Sequence, residues 1–214
     1  MGFQVAEKYP LKIHALDGEI EIARPLSLEE FANLATEYPD YRMERESDGK
    51  VTIMSPVKRK TGKREASVFL HLGNYWERKL KMKGEIYGPS IGIKLPTTAV
   101  KSPDACWVSD ERLAALPEIE EDEGWLCAVP DFVVEVRSGS DSLDKLKKKM
   151  KDTWQANGVR LGWLIDPAKE QTWIYRTGEA EPELVKGFTK KKLSGEDVLS
   201  GFELPLEKLR LKKS

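Results

Sequence analysis

Between residues 63 and 82 the apolar positions Val68, Phe69, Leu72, Tyr75, Trp76 and Leu80 recur at the three- and four-residue spacing of a helix with one buried face. The pattern predicts a long amphipathic helix that stops near Gly84. Shorter apolar runs follow, bounded by turn residues, and they predict strands over 85–95 with a break at Gly88-Pro89, over 104–108 and over 132–137. Residues 141–157 return to helical spacing and close at Gly158, which is suited to the left-handed position after a helix. A strand over 161–165 ends at Asp166-Pro167, and another covers 172–175. From Lys63 onward the order is helix, three strands, helix, strand. Upstream, Ser27-Leu-Glu-Glu30 has the spacing of a capping box and opens a short helix that ends before Pro39. Asp48-Gly49 marks a hairpin turn within 41–54, with Glu44 on its first arm. The tail from Glu179 is polar, with one apolar run over 198–206.

Composition narrows the class. The chain has 214 residues, 40% hydrophobic and 33% charged, which suits one globular domain over 1–214 carrying an N-terminal helix and hairpin extension over about 1–60. With 35 basic and 36 acidic side chains the formal net charge is −1, so no long-range attraction for a polyanion follows from the total. The charges are nevertheless grouped. Residues 57–64 (VKRKTGKR) and 145–151 (KLKKKMK) are basic, and 118–123 (EIEEDE) is acidic. Cys106 and Cys127 form neither a CxxC nor a zinc pattern, so reduced thiols in a cytoplasmic protein are expected. No stretch is apolar enough to predict a membrane span.

One residue breaks the hydrophobic pattern. Glu135 lies inside the apolar run 132–137, and a buried carboxylate costs several kcal/mol unless it is paired. Side chains alternate along a strand, so Glu135 and Arg137 share a face with Val133, opposite Phe132, Val134 and Val136. An acid and a base so spaced form either a strand-edge ion pair or part of a site where the carboxylate binds a metal and the cation meets phosphate. A metal needs a second carboxylate. Asp131, four residues earlier on the same strand, is about 13 Å away and reads as a strand-start residue. Asp104 opens a different strand; if that strand pairs beside 132–137, about 4.8 Å off, the two carboxylates converge on one magnesium-sized ion.

The lysines that follow sort by helical angle. At about 100° per residue, Leu143, Leu146, Met150, Thr153 and Trp154 occupy one apolar arc. Lys145 and Lys148 point away from it, whereas Lys147 and Lys149 flank it and are the two whose stems can lean back over a sheet.

These residues carry a resemblance. Pro103-Asp104, Glu135-Val136-Arg137-Ser138, Leu146 with Lys149-Met150, Gly158-Val159 and Trp163-Leu-Ile-Asp-Pro167 resemble the Uma family, within the PD-(D/E)xK nuclease superfamily. PLSLEEF near Pro25, YRMERESDGKVTIMSP from Tyr41 and LSGEDVLSGFELPL from Leu193 extend it over nearly the whole chain. The resemblance implies an α/β fold with a restriction-endonuclease-like core, a central mixed sheet flanked by helices. It also implies a metal-dependent endonuclease acting on DNA phosphodiesters with Mg²⁺, for which Mn²⁺ substitutes, and a homodimer. Asp104 and Glu135 then correspond to the metal-binding acids, Lys149 to the catalytic lysine supplied from the helix, and Glu44 to a further acid. Arg137 stands where the superfamily usually has lysine. Where the family has SPS and a short glycine-rich loop, this chain has Ser138-Gly139-Ser140 and the basic 57–64 segment. Lys58, Arg59, Lys60, Lys63 and Arg64 of that segment are either phosphate contacts or an exposed linker. The rival readings are a nuclease fold that binds nucleic acid without cleaving it, and an interaction protein whose acids and lysines are structural ion pairs.

Overall fold

A computed structural model describes residues 9–13, 20–116 and 124–210, the side chains of residues 12 and 13 apart; the acidic run 118–123 lies outside these. In chain order the first elements are β1 (Leu11–Ile13), β2 (Ile20–Ile22), α1 (Leu28–Glu37), β3 (Met43–Arg45), β4 (Val51–Ile53), α2 (Arg59–Arg78), β5 (Glu85–Tyr87), β6 (Ile93–Lys94) and β7 (Val100–Lys101). Then come β8 (Ala105–Val108), α3 (Asp110–Ala114), β9 (Phe132–Val136), α4 (Leu143–Lys148), β10 (Leu161–Asp166), β11 (Gln171–Arg176), β12 (Glu183–Lys186), β13 (Lys192–Ser194) and β14 (Glu203–Pro205). The chain forms two compact units. The first comprises Met1–Pro56, Ser90–Ser102 and Trp125–Cys127; the second comprises Val57–Pro89, Pro103–Gly124 and Ala128–Ser214.

The first unit is an antiparallel sheet in the order β1-β2-β4-β3-β7-β6, with helix α1. The capping box forms as its spacing requires: the Glu30 amide donates to Ser27 Oγ (3.1 Å), and the Ser27 amide donates to Glu30 Oε2 (2.8 Å). The β3–β4 turn holds Gly49 at φ 89°, where a Cβ would stand 2.7 Å from the Leu26 carbonyl oxygen. Only glycine combines that left-handed backbone with so close an approach. Ile22, Leu26, Phe31, Leu34, Val51 and Val100 form the core, and Trp125 stacks on Phe31 at 5.1 Å.

The second unit holds a mixed sheet in the order β12-β11-β10-β9-β8-β5. β9 and β10 run parallel, connected through α4, and the other neighbours are antiparallel. Helix α2 buries Thr61, Glu65, Val68, Leu72 and Tyr75, a repeating four-three stripe. Val68, Leu72 and Tyr75 join Phe132, Val134 and Val136 of β9 in one core, with Trp163 of β10 and the C-terminal Leu199, Phe202, Leu204, Leu206 and Leu209. The rings lock together, Trp163 stacking on Phe202 at 5.7 Å and meeting Phe132 edge-on at 4.7 Å. The opposite face of β9 carries Val133 and Glu135. There the absent side chain of Gly162 makes room for the Met150 methyl, which would stand 2.5 Å from an added Cβ.

Three expectations need correction. Helix α2 spans Arg59–Arg78, so most of the basic 57–64 segment is its first turns rather than a loop, with Lys58 as N-cap. The break at Gly88-Pro89 divides two strands of different sheets, β5 in the second unit and β6 in the first. The helix after β9 is α-helical only to Lys148; Lys149–Trp154 is a π turn and Gln155–Asn157 a 3₁₀ turn, capped by Gly158 at φ 95°.

Candidate active site

β8 and β9 pair antiparallel with Ala105 opposite Val134, and Asp104 lies at the bend just before β8, its amide donating to the Val134 carbonyl at 3.1 Å. Asp104 is buried, and its Oδ2 accepts the Val136 amide at 2.7 Å. Glu135 is also buried; its Oε1 accepts from Lys149 Nζ (2.9 Å) and from Trp154 Nε1 (2.8 Å). The Lys149 ammonium lies 5.8 Å from the centre of the Trp154 ring. The other flanking lysine, Lys147, sets its ammonium 4.6 Å over Trp173.

A third acid acts on this pair. Glu65 of α2 is buried, and with Glu135 it repels a negative charge on Asp104. Burial first, then Glu135 and Glu65, hold the Asp104 carboxyl well above the ordinary carboxylate range, against the opposing pull of the Val136 amide and Lys149. Glu65 escaped the sequence reading, although a signal exists: it occupies a position of the α2 stripe, three before Val68, where the pattern asks for an apolar side chain. Cys106 lies two residues after Asp104, and burial pushes its thiol far up, which keeps it from serving as a thiolate nucleophile or ligand.

The remaining candidates are placed as follows. Arg137 donates through Nη1 to Asp166 Oδ2 (2.7 Å) and through Nε to the Asp141 carbonyl (3.1 Å). Asp166 is fully buried at the end of β10, where its Oδ1 also accepts the Ala168 and Lys169 amides. Glu44 belongs to the first unit. There it takes the buried Lys101 ammonium at 3.3 Å and the Ser102 amide at 3.1 Å, and Lys101 also meets Glu46. Asp131 is tied to the Ser109 amide (2.8 Å), Arg112 (3.2 Å) and Arg160 (3.6 Å), a wholly structural set. Lys58, Arg59, Lys60 and Lys63 are exposed at the start of α2, and half-buried Arg64 donates to the Leu209 carbonyl at 3.1 Å.

The donor set fits a hard divalent cation. Asp104 feels the negative charge of Glu135 and Glu65, with the Lys149 ammonium opposing, and carboxylate oxygens such as those of Asp104 and Glu135 are the ligand type that Mg²⁺ takes. Among the described residues no group of three or more His, Cys, Asp or Glu side chains is placed to hold a metal ion together. Mg²⁺ needs none, since it retains water and uses one or two carboxylates.

A mixed sheet whose adjacent strands bring an aspartate, a glutamate and a helix-borne lysine together defines the restriction-endonuclease-like class of nuclease folds. The chain belongs to the Uma2 family, described as "Putative restriction endonuclease", whose profile matches residues 28–207. In three dimensions it is similar to a crystal structure described as a putative nuclease belonging to DUF820, from Anabaena variabilis, with a TM-score of 0.69 and 19% identity. That match covers 86% of this chain and 97% of the other. No curated protein sequence matches the chain. Among the described residues no helix is long and apolar enough to cross a membrane.

Proposed function

We propose that the protein is a divalent-metal-dependent endonuclease that hydrolyses DNA phosphodiesters at Asp104, Glu135 and Lys149. The observation that carries this reading is the meeting of Lys149 and Glu135 at 2.9 Å beside the buried Asp104, whose Oδ2 accepts the amide of Val136, the residue after Glu135. Asp104 and Glu135 would hold Mg²⁺, or Mn²⁺ in its place. The bound ion supplies a water of lowered pKa and offsets charge on the scissile phosphate. Lys149, its ammonium already at the carboxylate, would meet the negative charge that develops on the phosphate. Glu65 adds negative potential that strengthens cation binding. Arg137, anchored on Asp166, positions the strand end that carries Glu135 and presents its guanidinium edge toward phosphate.

The start of α2 supports a nucleic-acid partner. Its first turn has no acidic residue and its N-cap Lys58 makes no capping bond, although helix N-termini favour negative charge. Lys58, Arg59, Lys60 and Lys63 therefore gather cations where the helix dipole is already positive, an arrangement that a phosphate relieves. The same reading includes a cytoplasmic homodimer offering one site to each strand.

Single-turnover cleavage of duplex DNA in Mg²⁺ or Mn²⁺ tests the reading, with wild type set against Asp104→Ala. We expect the variant to lose at least a hundredfold in rate, on the scale of a lost transition-state charge contact. Equal rates would remove Asp104 from the chemistry. Binding of DNA without metal-dependent cleavage would favour the silent nucleic-acid-binding module.

A further inference from the structure

Lys149 and Trp154 are five residues apart, and in an α-helix they would point about 140° away from each other. In this chain the segment between them is a π turn, whose closing Gln155 amide donates to both the Lys151 and the Met150 carbonyls. A π turn brings residues i and i+5 into line. As a result the Lys149 ammonium and the Trp154 indole N–H both reach the same oxygen, Glu135 Oε1, at 2.9 and 2.8 Å. Trp154 is fully buried and cannot turn away to find water.

We infer that Trp154 is a positioning residue for the metal site, and that the π turn exists to pair its indole N–H with Lys149 on Glu135. This rests on the reading of Asp104 and Glu135 as metal ligands. A carboxylate on a two-torsion stem rotates freely unless both ends are fixed. Two donors on Oε1 stop that rotation and leave Oε2 to the cation. The indole contributes a neutral donor of fixed direction, where a second lysine would add a charge that competes with the metal. Groups that hold a ligand in this way typically carry ten- to hundredfold of metal affinity or activity.

The test compares Mn²⁺ binding by calorimetry for wild type, Trp154→Phe and Glu135→Gln, with melting curves to verify folding. Trp154→Phe keeps the aromatic packing and removes the donor. We expect its Mn²⁺ dissociation constant to rise about tenfold at a temperature where it is folded. An unchanged constant in the folded variant would overturn the assignment, because a Trp154 that only fills the core would lower the melting temperature and leave affinity alone. If Trp154→Phe does not fold, the wild-type indole N–H resonance decides. We expect it to move on adding Mg²⁺, and in metal-free Glu135→Gln relative to wild type; a resonance unmoved in both overturns the inference. Failure of the wild type to bind either ion would instead sink the metal-dependent reading on which the inference rests.

Discussion

Asp104 determines how the site responds to pH. Its carboxyl is raised on folding, chiefly by burial and then by Glu135 and Glu65, with Lys149 opposing. An acid whose folded pKa exceeds its unfolded value favours the folded chain at low pH, and that contribution disappears as pH climbs through the raised value. The metal-free protein should therefore lose stability on the alkaline side of the ordinary carboxylate range. Asp104→Asn keeps the oxygen that accepts the Val136 amide and cannot ionise. We expect it to melt higher than wild type at pH 8 in the presence of a chelator, by about 3 °C for each kcal/mol relieved, and to converge with it near pH 4. Calorimetry across that range checks it; a variant that melts lower at pH 8 would contradict the buried-charge account. The burial of Glu135 was legible because strand alternation sets an acid among valines, and Asp104 was singled out as an acid at the start of a neighbouring strand. Glu65 was not, since a lone glutamate in a helix of mixed charge reads as solvated. The Asp166 partner of Arg137 was hidden because parallel pairing of β9 with β10 joins residues 29 apart.

At the scale of elements, period and punctuation were informative where the element was long. The α2 stripe, β9, β10 and the capping box follow from spacing alone. Strands of two or three residues, such as β6, β7 and β1, are too short to express a period, and they form because neighbours such as Val100 and Arg45 pair across more than fifty residues. The helical wheel at 100° per residue assumed one helix type from Leu143 to Trp154. It identified Lys147 and Lys149 as the residues beside the apolar arc, since both precede or open the π turn, but it could not anticipate that Lys149 and Trp154 share a face. Caps act at this scale as well. Ser27→Ala removes the acceptor for the Glu30 amide, and we expect it to cost about 1 kcal/mol in the denaturant-induced unfolding of the first unit. Glu30 is held down to about 2 by Arg24 and then by the Ser27 amide. Its contribution is thus present above the ordinary carboxylate range and lost as pH falls toward about 2, opposite in sign to Asp104.

At the scale of the whole molecule, a formal net charge of −1 gives no general attraction for DNA, so the DNA binding proposed above would rest on where the cations stand. The exposed Lys58, Arg59, Lys60 and Lys63 cluster at an uncapped helix start, and counterion release turns that cluster into a measurable slope. Each phosphate contact contributes about −0.9 to the dependence of log affinity on log salt for duplex DNA. If all four residues meet phosphate, replacing them together by alanine should flatten the slope by about 3.6 and weaken binding similarly for every sequence tested. Fluorescence anisotropy between 50 and 200 mM salt, on two unrelated duplexes, measures both. The variant should keep the Mn²⁺ affinity of wild type, because none of the four side chains pairs with Asp104, Glu135 or Lys149. An unaltered slope would return the basic start of α2 to the role of an ordinary solvated helix end and move the nucleic-acid contact elsewhere on the second unit.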